Sequence, residues 1–325
     1  TQLAATVLRE AVARAGVAPD SVGHVVFGHV INTEPRDMYL SRVATIEGGL
    51  PDHVPALTLN RLCGSGLQAV VSAAQAILLG DADVAVAGGA ESMSRGPYAL
   101  PAGRWGQRMG DMKAQDMMVG ALHDPFHRIH MGVTAENVAN QFGISRQTQD
   151  EAAVESHRRA IQAIREGRFK SQIVPIEIPG RKGPTIFDTD EHARDDVTLE
   201  GLAKLKTVFA KEGGSVTAGN ASGINDGAAA LVLMEASAAA KAGRKPMARL
   251  VAYAHAGVDP KIMGIGPVPA TRKALQKAGL TLEQMDVIEA NEAFAAQACA
   301  VAKELGMNPA KLNPNGSGIS LGHPV

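Results

Sequence analysis

Apolar positions change their spacing along the chain, and the changes predict a mixed α/β fold. The first apolar residues recur every three to four positions and predict an amphipathic helix. The apolar run at residues 25–27 then predicts a buried strand, and residues 55–60 predict a further strand. Residues 66–79 predict a helix, and residues 82–87 predict another buried strand. Helices that alternate with strands are typical of α/β domains, in which helices cover the sheet.

A repeated pattern predicts that the chain contains two similar halves. Residues 15–16, Ala-Gly, end the first helical pattern, and a short polar link leads to the apolar run at residues 25–27. Residues 278–279, again Ala-Gly, end a later helical pattern, and a similar link leads to the apolar pair at residues 287–288. Each copy therefore predicts a helix, a tight turn and a buried strand, as an internal duplication would produce.

The middle of the chain is more polar. From about Met93 to Ala221, prolines, charges, methionines and histidines replace the Ala/Val pattern, and only residues 134–167 keep a strong helical period. We interpret this stretch as an inserted domain. The predicted domains are residues 1–92 plus 222–245, residues 93–221, and residues 246–325.

The composition of the chain argues against a nucleic-acid-binding protein and against a membrane protein. The chain has 325 residues, with 32 Lys and Arg against 33 Asp and Glu, which argues against a nucleic-acid partner that needs a basic excess. No apolar run approaches the ~20 residues that span a bilayer, so no membrane association is predicted. Two cysteines in a chain of this length do not make a disulfide framework and indicate a cytoplasmic protein.

Cys63 is the strongest candidate for chemistry. It lies in the sequence LNRLCGSG at residues 59–66, where a predicted strand turns into a predicted helix. The positive end of a helix dipole stabilises a thiolate, so we expect a lowered pKa for the Cys63 thiol. The alternative is a small buried hydrophobic residue, which is how most free cysteines serve. Cys299 fits that alternative, because an Ala-rich helical pattern surrounds it.

His323 and Asn291 are weaker candidates when each is taken alone. His323 lies in a Gly-rich turn, where a histidine can act as a general base or as an oxyanion donor. Taken alone, it fits an ordinary loop histidine better. Asn291 follows the second predicted strand, at the kind of position where α/β folds place their sites. It is also a good N-cap for the helix that follows. No Cys/His cluster has zinc-site spacing, and no metal is predicted.

Six motifs together resemble the thiolase family, and in particular the bacterial β-ketothiolases (acetyl-CoA C-acyltransferases and acetyl-CoA acetyltransferases). They are spread over the whole chain in the order that the family shows. The motifs are NRLCGSG at 60–66, GGAESMS at 88–94, HMGVTAE at 130–136, GNASGINDG at 219–227, NEAF at 291–294 and GHP at 322–324.

The resemblance implies the thiolase fold, with two similar halves in α-β-α-β-α layers and an inserted loop domain over coenzyme A (CoA). It implies that Cys63 takes the acyl group and that His323 activates this cysteine. It further implies that Asn291 holds a water which, with His323, binds the thioester oxygen. By the same matching, the CoA-binding residues are Leu122, His130, Arg194 and Ser222, and the acyl pocket consists of Met131, Met263, Ala293 and Phe294.

The activity implied by the resemblance is acyl transfer by a ping-pong mechanism. An acyl-CoA and acetyl-CoA condense to a 3-ketoacyl-CoA, or a 3-ketoacyl-CoA is cleaved by CoA in the reverse direction. CoA thioesters are substrates, and no further cofactor is expected. Fatty acid metabolism or the supply of polyhydroxyalkanoate precursors are the expected settings, and a homodimer or homotetramer is the expected assembly.

One departure and three alternatives stand beside this interpretation. Thiolases continue past the GHP turn to a second catalytic cysteine in a Cys-x-Gly motif, which is absent here, so we expect the sequence to be a fragment of a longer enzyme. A ketoacyl-synthase-like condensing enzyme is the nearest alternative, although NEAF in place of a second histidine favours a thiolase. A catalytically incomplete acyl-CoA-binding fragment is the second. The third, a cysteine peptidase, has no supporting feature in the sequence.

Overall fold

The computed structural model describes residues 1–325 and contains eleven α-helices and eight strands. The helices are α1 (Gln2–Ala15), α2 (Leu40–Glu47), α3 (Ser65–Leu78), α4 (Met117–Ala121), α5 (Met131–Phe142), α6 (Arg146–Arg165), α7 (Leu199–Ala203), α8 (Ala236–Lys241), α9 (Pro267–Ala278), α10 (Ala295–Leu305) and α11 (Gly318–Leu321). The strands are β1 (His24–Gly28), β2 (Ala56–Leu59), β3 (Val84–Ser92), β4 (Tyr98–Ala99), β5 (Gln115–Asp116), β6 (Ile176–Ile178), β7 (Thr185–Phe187) and β8 (Asp226–Met234).

The chain forms two compact units. Unit 1 comprises Thr1–Ala121, Ile224–Arg249 and Pro324–Val325, and unit 2 comprises Leu122–Gly223 and Leu250–His323. The three-domain division based on the sequence stays a prediction. No helix is both long and apolar enough to cross a membrane.

Unit 1 is built on a four-stranded sheet in the order β2-β1-β3-β8. β1 pairs in parallel with β2 and β3, and β8 runs antiparallel to β3. Alternate residues of β1 face opposite sides: Phe27 packs in the cluster that contains residues of α1 and α2, while Val26 packs with residues of α3. The prediction of buried strands is confirmed for β1 and β3. The predicted strand at residues 55–60 corresponds to β2, an edge strand that is only partly buried.

The start of α3 lies against the end of β1. A Cβ on Gly28 would lie 2.6 Å from the carbonyl carbon of Ser65, so only glycine permits this approach. Cys63 is therefore held on a turn that connects β2 to a helix packed on the central strand.

Unit 2 is mainly helical, and its only multi-residue strand pairing is the β6–β7 hairpin. Val138 of α5 and Ala296 of α10 lie in its largest apolar cluster. A second cluster joins Ala153 of α6 to Ile319 of α11. The helical pattern predicted over residues 134–167 corresponds to two helices, α5 and α6, because Gly143 ends α5 in a left-handed conformation (φ 62°).

The internal repeat is present in its helices and turns but not in its second strand. α1 and α9 both end in Ala-Gly, with φ of 61° at Gly16 and 66° at Gly279, and a short 3-10 helix follows each. The predicted buried strand at residues 287–288 is wrong. Val287 is 59% exposed, and Ile288 forms one isolated parallel bridge with Leu312. The bridge does not extend into a strand, because the next backbone N–H, that of Ala290, bonds to the Asn313 side chain and not to a neighbouring strand.

Candidate active site

The Cys63 turn is constrained by hydrogen bonds on both sides of the cysteine. The Leu62 N–H donates to Asn60 Oδ1 at 2.9 Å, and the Arg61 N–H donates to Ser65 Oγ at 2.8 Å. The Ser65 hydroxyl donates in turn to the Leu62 carbonyl at 2.7 Å. Leu62 has a φ of 47°, a conformation that is uncommon outside glycine and that marks strained functional turns. The turn presents Cys63 as an exposed residue one position before the N-cap of α3, Gly64.

The pKa of the Cys63 thiol departs from the expectation. The helix start was expected to lower it, but desolvation by the surrounding protein atoms raises it, and the cysteine's own backbone N–H opposes this shift only in part. The residue is exposed as a whole, so the desolvation is local to the sulfur. A thiol with a raised pKa is mostly protonated at neutral pH and needs a base to become a nucleophile.

His323 and Asn291 lie side by side in unit 2. Asn291 Nδ2 is 3.4 Å from both ring nitrogens of His323. His323 follows Gly322, whose φ of 98° favours glycine, and this residue ends α11. Burial lowers the pKa of the His323 imidazole, so the neutral ring, which can accept a proton, predominates at neutral pH. Asn291 is exposed and does not cap α10, whose N-cap is Phe294.

His130 and Phe209 form an aromatic wall at the start of α5. His130 is the N-cap of this helix, and its Nδ1 accepts a hydrogen bond from the Gly132 N–H at 3.0 Å. The ring stacks on Phe209 with centroids 4.6 Å apart, and Phe209 meets Phe294 edge to face at 6.3 Å. A Cβ on Gly132 would overlap the Phe209 ring, which explains the glycine.

Backbone hydrogen bonds join several of the other residues predicted to bind CoA or to line the acyl pocket. The Met131 N–H donates to the Leu122 carbonyl at 2.8 Å, which closes the loop before α5. The Ser222 N–H donates to the Ala293 carbonyl at 2.9 Å, and Ala221 bridges Phe294. Met263 lies in the 3-10 helix Pro260–Ile265, which packs on α5.

Arg194 is exposed and forms a bidentate ion pair with Asp196, with nitrogen–oxygen distances of 2.8 and 2.9 Å. Its backbone N–H donates to His157 Nδ1 at 3.2 Å. His157 is buried on α6, and desolvation lowers its pKa to about 4, so its ring is neutral and accepts this bond. Arg194 and His157 line a groove of about 480 Å³ on unit 2.

Unit 2 thus contains every candidate except Cys63, which lies in unit 1. Within unit 2, the side chains of Asn291 and His323 are in contact, and backbone hydrogen bonds join Leu122 to Met131 and Ser222 to Ala293. Cys299 packs with the α5–α10 cluster, and burial with the nearby Glu292 raises its pKa to about 11, as suits the structural role predicted for it. No group of three or more His, Cys, Asp or Glu side chains is placed to hold a metal ion.

Sequence reasoning missed Phe209 and Glu292. Phe209 lies in a polar segment without periodicity, so no local pattern indicated its stacking on His130. Glu292 belongs to the NEAF motif but was given no role of its own. The signal that could have indicated it is a carboxylate directly before the apolar pair Ala293-Phe294 and the Ala-rich helix.

The comparison with known families decides the family of the chain. Residues 1–237 match the thiolase N-terminal domain, and residues 244–325 match the thiolase C-terminal domain. The chain belongs to the thiolase family.

Individual relatives of this thiolase are similar over its whole length. Beta-ketothiolase BktB of Cupriavidus necator is 69% identical over 324 residues, an alignment that covers 100% of this thiolase and 82% of BktB. An acetyl-CoA acetyltransferase of Pseudomonas aeruginosa is 53% identical over 326 residues, with coverage of 100% and 82%.

Solved structures show that this thiolase has the thiolase fold. The crystal structure of the Bacillus anthracis acetyl-CoA acetyltransferase superimposes with a TM-score of 0.96 at 52% identity, covering 99% of this thiolase and 82% of that chain. Human mitochondrial 3-ketoacyl-CoA thiolase in complex with CoA superimposes with a TM-score of 0.95 at 43% identity, covering 99% and 80%.

Proposed function

We propose that this thiolase is a β-ketothiolase, an acyltransferase that condenses an acyl-CoA with acetyl-CoA to a 3-ketoacyl-CoA and catalyses the reverse thiolytic cleavage. The observation that carries the proposal is Cys63, which a strained and hydrogen-bonded turn presents at the start of α3 in a chain of the thiolase family. The 69% identity to a protein named β-ketothiolase supports the choice of reaction.

In the proposed mechanism, Cys63 and His323 act in acyl transfer. His323 accepts the thiol proton, and the Cys63 sulfur attacks the thioester carbonyl of an acyl-CoA. The bond between the carbonyl carbon and the CoA sulfur breaks, and CoA leaves as a thiol with the proton from His323. Asn291 and His323 stabilise the oxyanion that forms during the attack, Asn291 through a water molecule. Their 3.4 Å contact supports a shared role at one oxygen.

The acyl group then leaves Cys63 by a carbon–carbon bond-forming step. A base removes a proton from the α-carbon of acetyl-CoA, a role that the thiolase resemblance assigns to the cysteine of the Cys-x-Gly motif. The resulting carbanion attacks the acyl carbonyl, and the sulfur of Cys63 departs as a thiolate. In the reverse direction, Cys63 attacks the 3-keto carbon of a 3-ketoacyl-CoA, and the bond between this carbon and the α-carbon breaks. The α-carbon takes up a proton as acetyl-CoA leaves, and the thiol of free CoA then takes the acyl group from Cys63. The thioester supplies the activation, so CoA thioesters serve as substrates and no other cofactor is required in this scheme.

Substrate binding is proposed to involve unit 2. Leu122, His130 and Ser222 contact the pantetheine, and Arg194 lies near the nucleotide. The acyl group is proposed to contact Met131, Met263, Ala293 and Phe294. The aromatic wall of His130 and Phe209, which Phe294 meets edge to face, supports this assignment. It offers an apolar surface beside the polar edge of the His130 ring. The relative solved in complex with CoA supports CoA as the ligand.

We also propose a cytoplasmic location and a homodimer or homotetramer. The two free cysteines support a reducing compartment.

The decisive experiment is mass mapping after treatment with acetyl-CoA. We expect an acetyl group on Cys63, because this cysteine is exposed whereas Cys299 is packed on a helix. Cys63→Ser is expected to lose turnover by on the order of 10³-fold or more, since a hydroxyl is a much weaker nucleophile than a thiolate. Cys299→Ser is the matched control and should keep both the label and the activity.

A label on Cys299, or none at all, would contradict the proposed mechanism. The alternative of an acyl-CoA-binding protein without catalysis predicts tight binding of acetyl-CoA with no covalent label. A ketoacyl-synthase-like enzyme would form the label but would not cleave a 3-ketoacyl-CoA with free CoA.

A further inference from the structure

Glu292 is a buried carboxylate, only 9% exposed, that the proposed mechanism does not use. It follows Asn291 directly, and three separate segments of unit 2 donate hydrogen bonds to it. The Ser156 hydroxyl on α6 donates to Oε2 at 2.6 Å, and Asn313 Nδ2 donates to Oε1 at 3.2 Å. The Ile319 N–H in α11 donates to Oε2 at 3.4 Å. One side chain therefore joins the segment after Asn291 to three others.

These bonds fix the segment that leads to His323. α11 begins against the backbone of the NEAF motif, where a Cβ on Gly318 would lie 2.7 Å from Asn291 Oδ1 and 2.8 Å from the Glu292 carbonyl oxygen. The Ser317 hydroxyl donates to the Ala290 carbonyl at 3.1 Å. His323 follows two residues after α11 ends, so the position of this short helix determines where the imidazole lies relative to Asn291.

Asn313 strengthens the same arrangement from the other side. Its side chain accepts from the Ala290 N–H and donates to the Ala290 carbonyl, both at 2.8 Å. Its own backbone has a φ of 44°, which an asparagine tolerates better than most residues. Ser156 is held in turn by Ser320 Oγ at 2.8 Å. The carboxylate is thus the centre of a buried network of neutral donors.

Burying a charged carboxylate at this position is energetically unfavourable, so its presence calls for a structural reason. Burial raises the pKa of Glu292, which shows that the surroundings disfavour its charge. A glutamine would fill the same volume without that charge. Its NH₂ group, however, would face the donors of Ser156, Asn313 or Ile319, because a carboxylate only accepts hydrogen bonds whereas an amide must also donate. Only the acid satisfies all three donors at once.

We propose that Glu292 is a positioning residue, whose carboxylate holds the Asn291 segment and α11 together so that Asn291 and His323 meet at the reacting oxygen. This inference rests on the proposed function, in which these two residues stabilise the oxyanion. Glu292 itself touches no substrate in this proposal and acts through its two neighbours.

Glu292→Gln tests the proposal. Its kcat in thiolysis of acetoacetyl-CoA is expected to fall on the order of 10- to 100-fold, since small displacements of catalytic groups have effects of that size. Its KM is expected to stay within about threefold, because an interaction made only in the transition state affects kcat and leaves ground-state binding unchanged. Glu304→Gln is the matched control, since Glu304 is an exposed carboxylate near the end of α10.

A second variant and a second readout separate positioning from folding. Ser156→Ala removes the 2.6 Å donor while the carboxylate remains, and it should lower kcat by about 3- to 10-fold. The folded fraction of each variant is measured by circular dichroism, and kcat is expressed per folded molecule. If Glu292→Gln does not fold, the Ser156→Ala result decides.

Two results would overturn the inference. One is a wild-type kcat per folded molecule in Glu292→Gln, or in Ser156→Ala where it decides. The other is an equal loss in Glu304→Gln. Failure of the proposed function looks different, because the wild-type protein itself would then not acylate Cys63 or cleave acetoacetyl-CoA.

Discussion

At the scale of single residues, burial shifts the acid–base properties of Cys63 and His323 in opposite directions. Desolvation raises the pKa of the thiol and lowers the pKa of the imidazole, so each group is neutral near pH 7. A neutral thiol is a poor nucleophile, and a neutral imidazole is a competent base. The local chemistry thus favours proton removal during the attack over a thiolate formed in advance.

A pH profile tests this assignment. For wild-type enzyme, kcat/KM should rise with pH along an acidic limb as His323 loses its proton, and this limb should lie below the ordinary histidine pKa of about 6.5. In His323→Ala that limb should disappear, and activity should rise only in alkaline solution, as the Cys63 thiol ionises with its raised pKa.

The control for this experiment is His53→Ala, which removes an exposed histidine and should leave the profile unchanged. A profile in His323→Ala that matches wild type would show that His323 is not the base. The residue would then act in structure or as an oxyanion donor only.

At the scale of elements, small residues let the layers of unit 1 approach closely. β1 and β3 consist largely of Val, Ala and Gly, and α3 packs on them through Ala69 and Ala73. Gly88 and Gly89 are adjacent in β3 and face opposite sides of the sheet, and the space available to a side chain differs between the two sides. A Cβ on Gly88 would lie 2.7 Å from the Phe27 ring and would also overlap the Ala229 carbonyl oxygen of β8. A Cβ on Gly89 would have its nearest neighbours at 3.6 Å, an ordinary contact.

Gly88→Ala is therefore expected to lower the free energy of unfolding by about 1–3 kcal/mol, because overpacking forces the ring and the strand pairing apart. Gly89→Ala, the adjacent residue of the same strand, should change it by no more than about 0.5 kcal/mol. Urea denaturation followed by circular dichroism measures both. Equal midpoint shifts in the two variants would contradict the packing described for β3.

At the scale of the whole molecule, unit 1 has several large apolar side chains that are exposed to solvent when the chain is alone. Leu67, Leu78 and Leu79 on or next to α3 are 75%, 77% and 79% exposed, and Trp105 is 85% exposed. Exposed apolar groups of this size usually mark protein interfaces. Symmetric homo-oligomers are the commonest way to cover such surfaces.

Sedimentation velocity tests the proposed assembly. One chain has a mass of 33.8 kDa, and we expect a species of two or four times that mass at micromolar concentration. Leu78→Lys with Leu79→Lys should weaken the assembly if the end of α3 is covered, because burying an unpaired charge is unfavourable. The matched control, Lys241→Glu at the end of α8, should not. A single 33.8 kDa species at all concentrations would contradict the proposal.

The sequence by itself determined the elements whose signals are local. The spacing of apolar residues indicated α1, α3 and the strands β1, β2 and β3. The Ala-Gly pairs marked the ends of α1 and α9, because glycine adopts a positive φ without strain. The six motifs indicated the thiolase family, which the family comparison shows. Each motif is a short run of residues, so the motifs and their order along the chain can be recognised without knowledge of the fold.

Only the tertiary structure decided what depends on distant neighbours. Residues 287–288 form no strand, because a strand needs partners that the residues themselves do not encode. The pKa of Cys63 is raised, since burial of the sulfur in the folded protein outweighs the helix start. The bond from Ser156 to Glu292 joins residues 136 positions apart, so no local pattern reveals it. Hydrogen bonds and burial act through space, and the chain brings their partners together only when it folds.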